Sequence, residues 1–97
     1  EGEFDITGEQ RIGEDYVTIN GTVLLQGNDH LLFKGKIETR VSYVNNGEPC
    51  VRDGQYNFKA RDGRKYWRLQ EMDNCEGNNV VDYVDIFFKE GLEPKID

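Results

Sequence analysis

The chain lacks almost everything that enzymatic chemistry or a membrane span requires. Its 97 residues hold one histidine, one methionine, one tryptophan, two prolines and two cysteines. No apolar run exceeds three residues, as at Val23-Leu24-Leu25 and Ile86-Phe87-Phe88, whereas a membrane helix needs roughly 18. No segment repeats apolar residues at i, i+3, i+4 and i+7 over the ~11 positions that mark an amphipathic helix. Phosphate-loop and dinucleotide glycine fingerprints are missing, so no cofactor is expected. No signal peptide is recognisable. The sequence opens at Glu1 and its methionine is Met72, the pattern of a chain that starts after processing or trimming.

The scarcity of histidine and cysteine narrows the chemistry further. His30 lies in a turn beside Asp29, where a solvated turn residue is the expected role and a catalytic base the exception. Zinc needs four ligands, and Cys50, Cys75 and His30 are too few. Residues 73–79 are rich in oxygen ligands, but Cys75 and Gly77 stand where a calcium loop needs Asp or Asn. No catalytic residue and no metal site is therefore expected, and the chain is not expected to be an enzyme. Cys50 and Cys75 make an even pair in a small, turn-rich domain, which favours a disulfide over two buried thiols in a cytosolic protein. The bond would close a loop of about 26 residues and, on the chain-entropy model, stabilise by roughly 3.5 kcal/mol. It would also place the protein in an oxidising compartment, secreted or periplasmic.

What the sequence has is charge, glycine and aromatics. Charged residues make up 32% and apolar ones 36%, and the net charge is −7. The charge is uneven. Residues 1–51 carry −5, residues 52–68 carry +4 and residues 69–97 carry −6. An acidic total disfavours broad nucleic-acid binding, and its plainest role is solubility. Eleven aromatic residues, each able to bury roughly 150–250 Å², compensate for a modest aliphatic content. Eleven glycines fit many tight turns. Asn20-Gly21-Thr22 matches a glycosylation sequon, relevant only in a eukaryotic secretory setting.

Turn signals divide the chain into strands. Residues 14–19, 22–26, 31–33, 36–44 and 80–88 read as extended. Asn20-Gly21 reads as a hairpin turn, or else as a bulge within one longer strand. Gly35 marks a bulge or a sharp bend where the sheet coils, and residues 45–54 a loop with a short paired piece. Residues 55–70 form the best-specified hairpin. An Asp62-Gly63 turn sets Phe58 opposite Trp67 and Tyr56 opposite Leu69. One face then carries Tyr56, Phe58, Ala60, Trp67 and Leu69, and the other Lys59, Tyr66 and Arg68. The predicted fold is one all-β domain over residues 1–97. It is an antiparallel meander of about seven or eight strands closed, or nearly closed, into a β-barrel, because an open meander leaves two costly edges. A β-sandwich is the alternative. Residues 1–13 and 89–97 are the ends that could stay mobile, although residues 4–7 could add a strand.

The candidate site residues are acidic. Asp82 and Asp85 differ by an odd number, so a regular strand points them to opposite faces. The inward one needs a partner, which Arg40, Arg52 or Arg68 could supply. A structural ion pair is the bland reading and a ligand contact the sharper one. The preferred function is a non-enzymatic binding protein that binds or inhibits a protein partner. Its acidic surface would steer a basic partner, with Glu71, Asp73, Glu76 and Asp85 as contacts. A small-ligand barrel lined by inward aromatics is the alternative. Single-strand nucleic-acid binding by Lys59, Arg61, Arg64, Lys65 and Arg68 among the hairpin aromatics ranks lower, because the hairpin register turns Phe58 and Trp67 toward the core.

Overall fold

In the computed structural model, alternation of inward apolar and outward polar residues produces long strands. Six of them, β1 (Glu3–Ile12), β2 (Asp15–Leu25), β3 (His30–Arg40), β4 (Cys50–Lys59), β5 (Tyr66–Leu69) and β6 (Val84–Phe88), follow one another as an antiparallel meander. The sheet curls into a half-barrel, and β7 (Leu92–Ile96) pairs with β6 at its end. A single 3₁₀ turn, Asn45–Gly47, interrupts the β3–β4 connection, and there is no α-helix among the described residues. The structure describes residues 3–27, 29–60, 66–88 and 92–96, with the backbone alone over 87–88 and 92–96. Within residues 1–13, expected either to add a strand at residues 4–7 or to stay mobile, Glu3–Ile12 form β1, paired along its length with β2. Within residues 89–97, the other end that could stay mobile, Leu92–Ile96 form β7.

The concave face holds the core. Val17, Ile19 and Val23 of β2 meet Leu31, Phe33 and Ile37 of β3, Phe58 of β4 and Leu69 of β5, all buried. Val84 and Ile86 close one side, and Tyr56 and Trp67 pack against the cluster partly buried. Full burial of each large apolar side chain is worth about 1.5–3 kcal/mol. The Phe33 and Phe58 rings meet edge to face at 6.1 Å, the geometry the aromatic quadrupole favours.

Curvature is set where three glycines face inward side by side. Gly21, Gly35 and Gly54 are register partners on β2, β3 and β4. A Cβ on Gly21 would lie 2.2 Å from the Lys34 carbonyl oxygen, and one on Gly35 would lie 2.3 Å from that of Asn20. Gly35 and Gly54 also have φ near +150°, which L side chains rarely adopt. The strands approach and coil here because nothing projects between them. Asn20-Gly21 is consequently no hairpin turn. It lies in mid-strand, and its glycine serves close packing across strands.

The hairpin register differs from the turn-based expectation. Phe58 pairs with Leu69 and Lys59 with Arg68, a shift of two residues that separates Phe58 from its expected partner Trp67. Trp67 pairs instead with Ile86. A two-residue shift leaves every side chain on its own face, so facial segregation alone could not choose between the registers. Asp62-Gly63, the turn that chose, lies outside the described residues. Two strand boundaries also move. β3 ends at Arg40 rather than residue 44, and β4 already begins at Cys50 within the expected loop.

Beyond β5 the chain leaves the sheet, and a buried arginine holds it. Arg52 Nε donates to the Glu71 carbonyl (3.2 Å), and Nη2 donates to those of Met72 and Asp73 (2.9 Å each) and to Asp82 Oδ2 (3.2 Å). The same Asp82 oxygen accepts from Asn74 Nδ2 at 2.9 Å and Thr39 Oγ1 at 3.3 Å. Arg52 and Asp82 are 6% and 5% exposed, so this ion pair is shielded from water. Regular strand structure therefore starts at Val84, not residue 80, with only an isolated bridge from Asp73 to Val81 before it. Cys50 and Cys75 are disulfide-bonded with Cα atoms 5.5 Å apart, a second tether on the same loop.

Three outcomes follow. Gly21→Ala, at a position without positive φ, should lower the unfolding free energy by about 2–3 kcal/mol through overpacking. Gly13→Ala, with open space around it, should cost about 1 kcal/mol from its left-handed backbone alone; denaturant melts compare them. Asp82→Ala should cost about 3–5 kcal/mol by leaving the Arg52 charge buried without its partner, and Asp82→Asn, which keeps an acceptor, should cost less. Intact-mass analysis should find no alkylated thiol before reduction and two after it, with a stability loss of about 3.5 kcal/mol on the chain-entropy model.

Candidate functional site

The β5–β6 connection leaves the sheet early and thereby shapes a groove. β5 has four residues and pairs with β4 only at Phe58 and Lys59. One further backbone bond, Gln70 N–H to the Asn57 carbonyl at 2.8 Å, extends the ladder. The Asn57 N–H then finds the Glu71 carboxylate at 2.8 Å, and Asn57 Nδ2 donates to its other oxygen at 2.7 Å. From residue 71 the chain turns inward over Arg52. Between it and β4 lies an open groove of about 500 Å³ lined by Arg52, Tyr56, Gln70, Glu71, Met72, Asp73 and Val81. Val81 is 43% exposed, and Met72 is half-buried. Apolar side chains thus form part of the wall, and the carboxylates of Glu71 and Asp73 belong to exposed residues. Arg52 Nη1 is buried without a hydrogen-bond partner among the described residues.

A second depression lies beyond the disulfide. Ser42, Tyr43, Asn45, Asn46, Cys75 and Glu76 line it, and Tyr43 is 86% exposed. Glu76 Oε1 accepts from the Asn45 N–H at 2.6 Å. This bond ties the β3–β4 turn to the disulfide loop. Tyr16, distant in sequence, donates its phenol to Glu38, and that hydrogen bond raises its pKa above the ordinary tyrosine value.

The four expected contact residues fall in three places. Glu71 and Asp73 share the groove, Glu76 lines the neighbouring depression, and Asp85 joins neither. Asp85 is 2% exposed and bonded in bidentate fashion by Arg68, Nε to Oδ1 at 2.8 Å and Nη2 to Oδ2 at 3.0 Å. The Arg68 guanidinium lies over the rings of Tyr66 and Tyr83, 5.3 and 4.7 Å from their centroids. Asp85, expected as a contact, is thus buried and paired with Arg68, away from both depressions. Asp82 points inward and Asp85 to the other face, but both are buried and both are paired with arginine.

Sequence reasoning passed over Arg52, Tyr56, Met72 and Val81 as site residues, and over the β4 edge beside them. The available signal was the polar interruption at residues 70–79, which leaves β5 too short to cover β4. His30 is half-buried against Asn57, Nε2 to Oδ1 at 2.7 Å. No group of three or more His, Cys, Asp or Glu side chains able to hold a metal ion occurs among the described residues. No helix of the structure is long and apolar enough to cross a membrane. Of the basic hairpin, Arg61, Arg64 and Lys65 lie outside the described residues.

The chain belongs to the PM1083 family, whose model matches residues 1–88. It is similar to the uncharacterized protein PM1083 of Pasteurella multocida (strain Pm70), with 48% identity over 84 residues. That match covers 86% of this chain and 54% of the relative, so the chain spans about half the length of the curated relative it matches. No solved structure matches.

Proposed function

We propose that this member of the PM1083 family is a non-enzymatic binding protein that works outside the cytoplasm and engages a basic protein partner, as an inhibitor would. The observation that carries the reading is the division of its carboxylates. Asp82 and Asp85 are buried and neutralised by arginine, whereas Glu71, Asp73 and Glu76 stay exposed on one loop. The loop is fastened twice, by the Arg52 network and by the Cys50–Cys75 bond. A surface fixed in advance loses less entropy on docking, and its field raises the encounter rate with a positive partner. A concave face occupied by packed side chains, with Tyr83 40% exposed outside it, also suits a protein partner better than an enclosed ligand.

The disulfide supports an extracytoplasmic setting. The approach of β7 to β1 and β2 supports closure of the half-barrel into a seven-stranded barrel. A small-ligand reading draws on the groove beside Tyr56, whose volume falls in the usual range for such sites, but the groove is open rather than enclosed. Nucleic-acid binding through residues 55–70 would need stacking platforms, and Phe58 is fully buried while Trp67 packs on the core.

The test is kinetic. A partner captured from host extracts should associate with a rate that falls steeply between low and physiological salt. Asp73→Lys and Glu76→Lys should slow association more than they speed dissociation. A rate indifferent to both salt and the two substitutions would refute the reading.

A further inference from the structure

We propose that the free edge of β4 at residues 51–55 accepts an added strand, an extended basic segment of the partner. This inference rests on the binding reading above and specifies its mode. The ladder parity supports it. Ala60 N–H donates to the Asp29 carbonyl at 3.0 Å, so even-numbered residues of β4 direct their backbone bonds to β3. Asn57 exchanges its bonds with Gln70 and Glu71 on the opposite side, so odd-numbered residues face β5. Because β5 pairs only with Phe58 and Lys59, the N–H and C=O groups of Val51, Asp53 and Gln55 point to an edge that no strand covers. Among the described residues no strand pairs with β4 on that side at these positions, and all three residues are exposed. Such an uncovered edge is a template for another strand.

The surroundings indicate what kind of strand. The groove lies alongside this edge, and the incoming side chains that point inward would meet Tyr56, Met72 and Val81. Gly54 faces inward without a side chain, and the Tyr56 hydroxyl lies beside it, 3.8 Å from where a Cβ would stand. Arg52, whose Nη1 is buried without a hydrogen-bond partner among the described residues, also lines the groove. Glu71 already performs the needed chemistry one step along, where its carboxylate accepts the Asn57 N–H in place of a strand carbonyl. Asp53 lies on the edge with Lys36 of β3 as its register partner on the covered side, and Glu71 and Asp73 stand at the groove on the open side. Lysine or arginine opposite Asp53 forms a favourable cross-strand pair, whereas a second copy of this chain would bring like charges together at the same edge and carries −7 itself. Charge thus disfavours self-pairing and favours a basic segment that alternates with apolar residues.

The probe is an eight-residue peptide of alternating lysine and valine, paired with a version N-methylated at every second residue to block one edge of its backbone. The unmodified peptide should bind the intact chain and slow amide hydrogen exchange at Val51, Asp53 and Gln55. N-methylation should weaken it by more than about tenfold, and Asp53→Lys by about three- to tenfold. Binding that is salt-sensitive but insensitive to N-methylation, with no protection of the three amides, overturns strand addition and leaves the acidic-surface reading intact. Failure of the peptide to bind at millimolar concentration overturns strand addition as well, and a captured partner with salt-dependent association would still uphold that reading. Protection of the same amides that rises with protein concentration and needs no peptide overturns the choice of occupant in favour of a second copy.

Discussion

The guanidinium of Arg52 is the interaction on which the lower half of the molecule depends. It projects from the concave face of β4 and binds successive carbonyls of residues 71–73 along with the Asp82 carboxylate. A loop of that length lying over an apolar face would otherwise strand its backbone polar groups away from water. Arg52 supplies several donors in one fixed fork, and Asp82 neutralises the charge that this requires. The loop can therefore cap the core although it is neither helix nor strand. Its position also explains why β5 is short. The chain is drawn inward at residue 71, so β4 loses its neighbour and keeps an open edge.

The same arrangement sorts the acidic residues. The −6 charge of residues 69–97 looks uniform in the sequence, but it divides into carboxylates that hold the fold and carboxylates that face water. Asp82 and Asp85 belong to the first kind, bound to Arg52 of β4 and Arg68 of β5 respectively. A buried pair of this sort adds little net stability over an apolar substitute, yet its rupture is expensive. Asp73 and Glu76 belong to the second kind. Among the described residues of this segment, the surface field therefore comes from fewer carboxylates than the formal charge suggests.

Much of the fold was legible, for identifiable reasons. Period-two alternation places Val17, Ile19, Ile37 and Phe58 on one face, and each is buried. The even cysteine count in a turn-rich chain suggested the bond between Cys50 and Cys75, and it is present. Register was legible only modulo two residues, because a shift by two preserves every facing. Asn20-Gly21 misled for a related reason. Glycine signals a turn and a close strand crossing alike, and only the neighbouring strands distinguish them. Of the residues around the candidate groove and depression, charge pointed to Glu71, Asp73 and Glu76, whereas nothing in the sequence marked the β4 edge or the place of Arg52 beside it. Their roles depend on where β5 ends and on what the loop covers.

The sequence by itself determined the class of structure, the inward face of most strands and the uneven charge, since these depend on local alternation and composition. Tertiary structure alone decided which carboxylates are free, which glycines permit coiling and which strand edge is left open. Those outcomes turn on contacts between residues such as Gly21 and Gly35, Arg52 and Asp82, or Arg68 and Asp85. Their sequence separation carries no signal until the sheet has curled and brought them together.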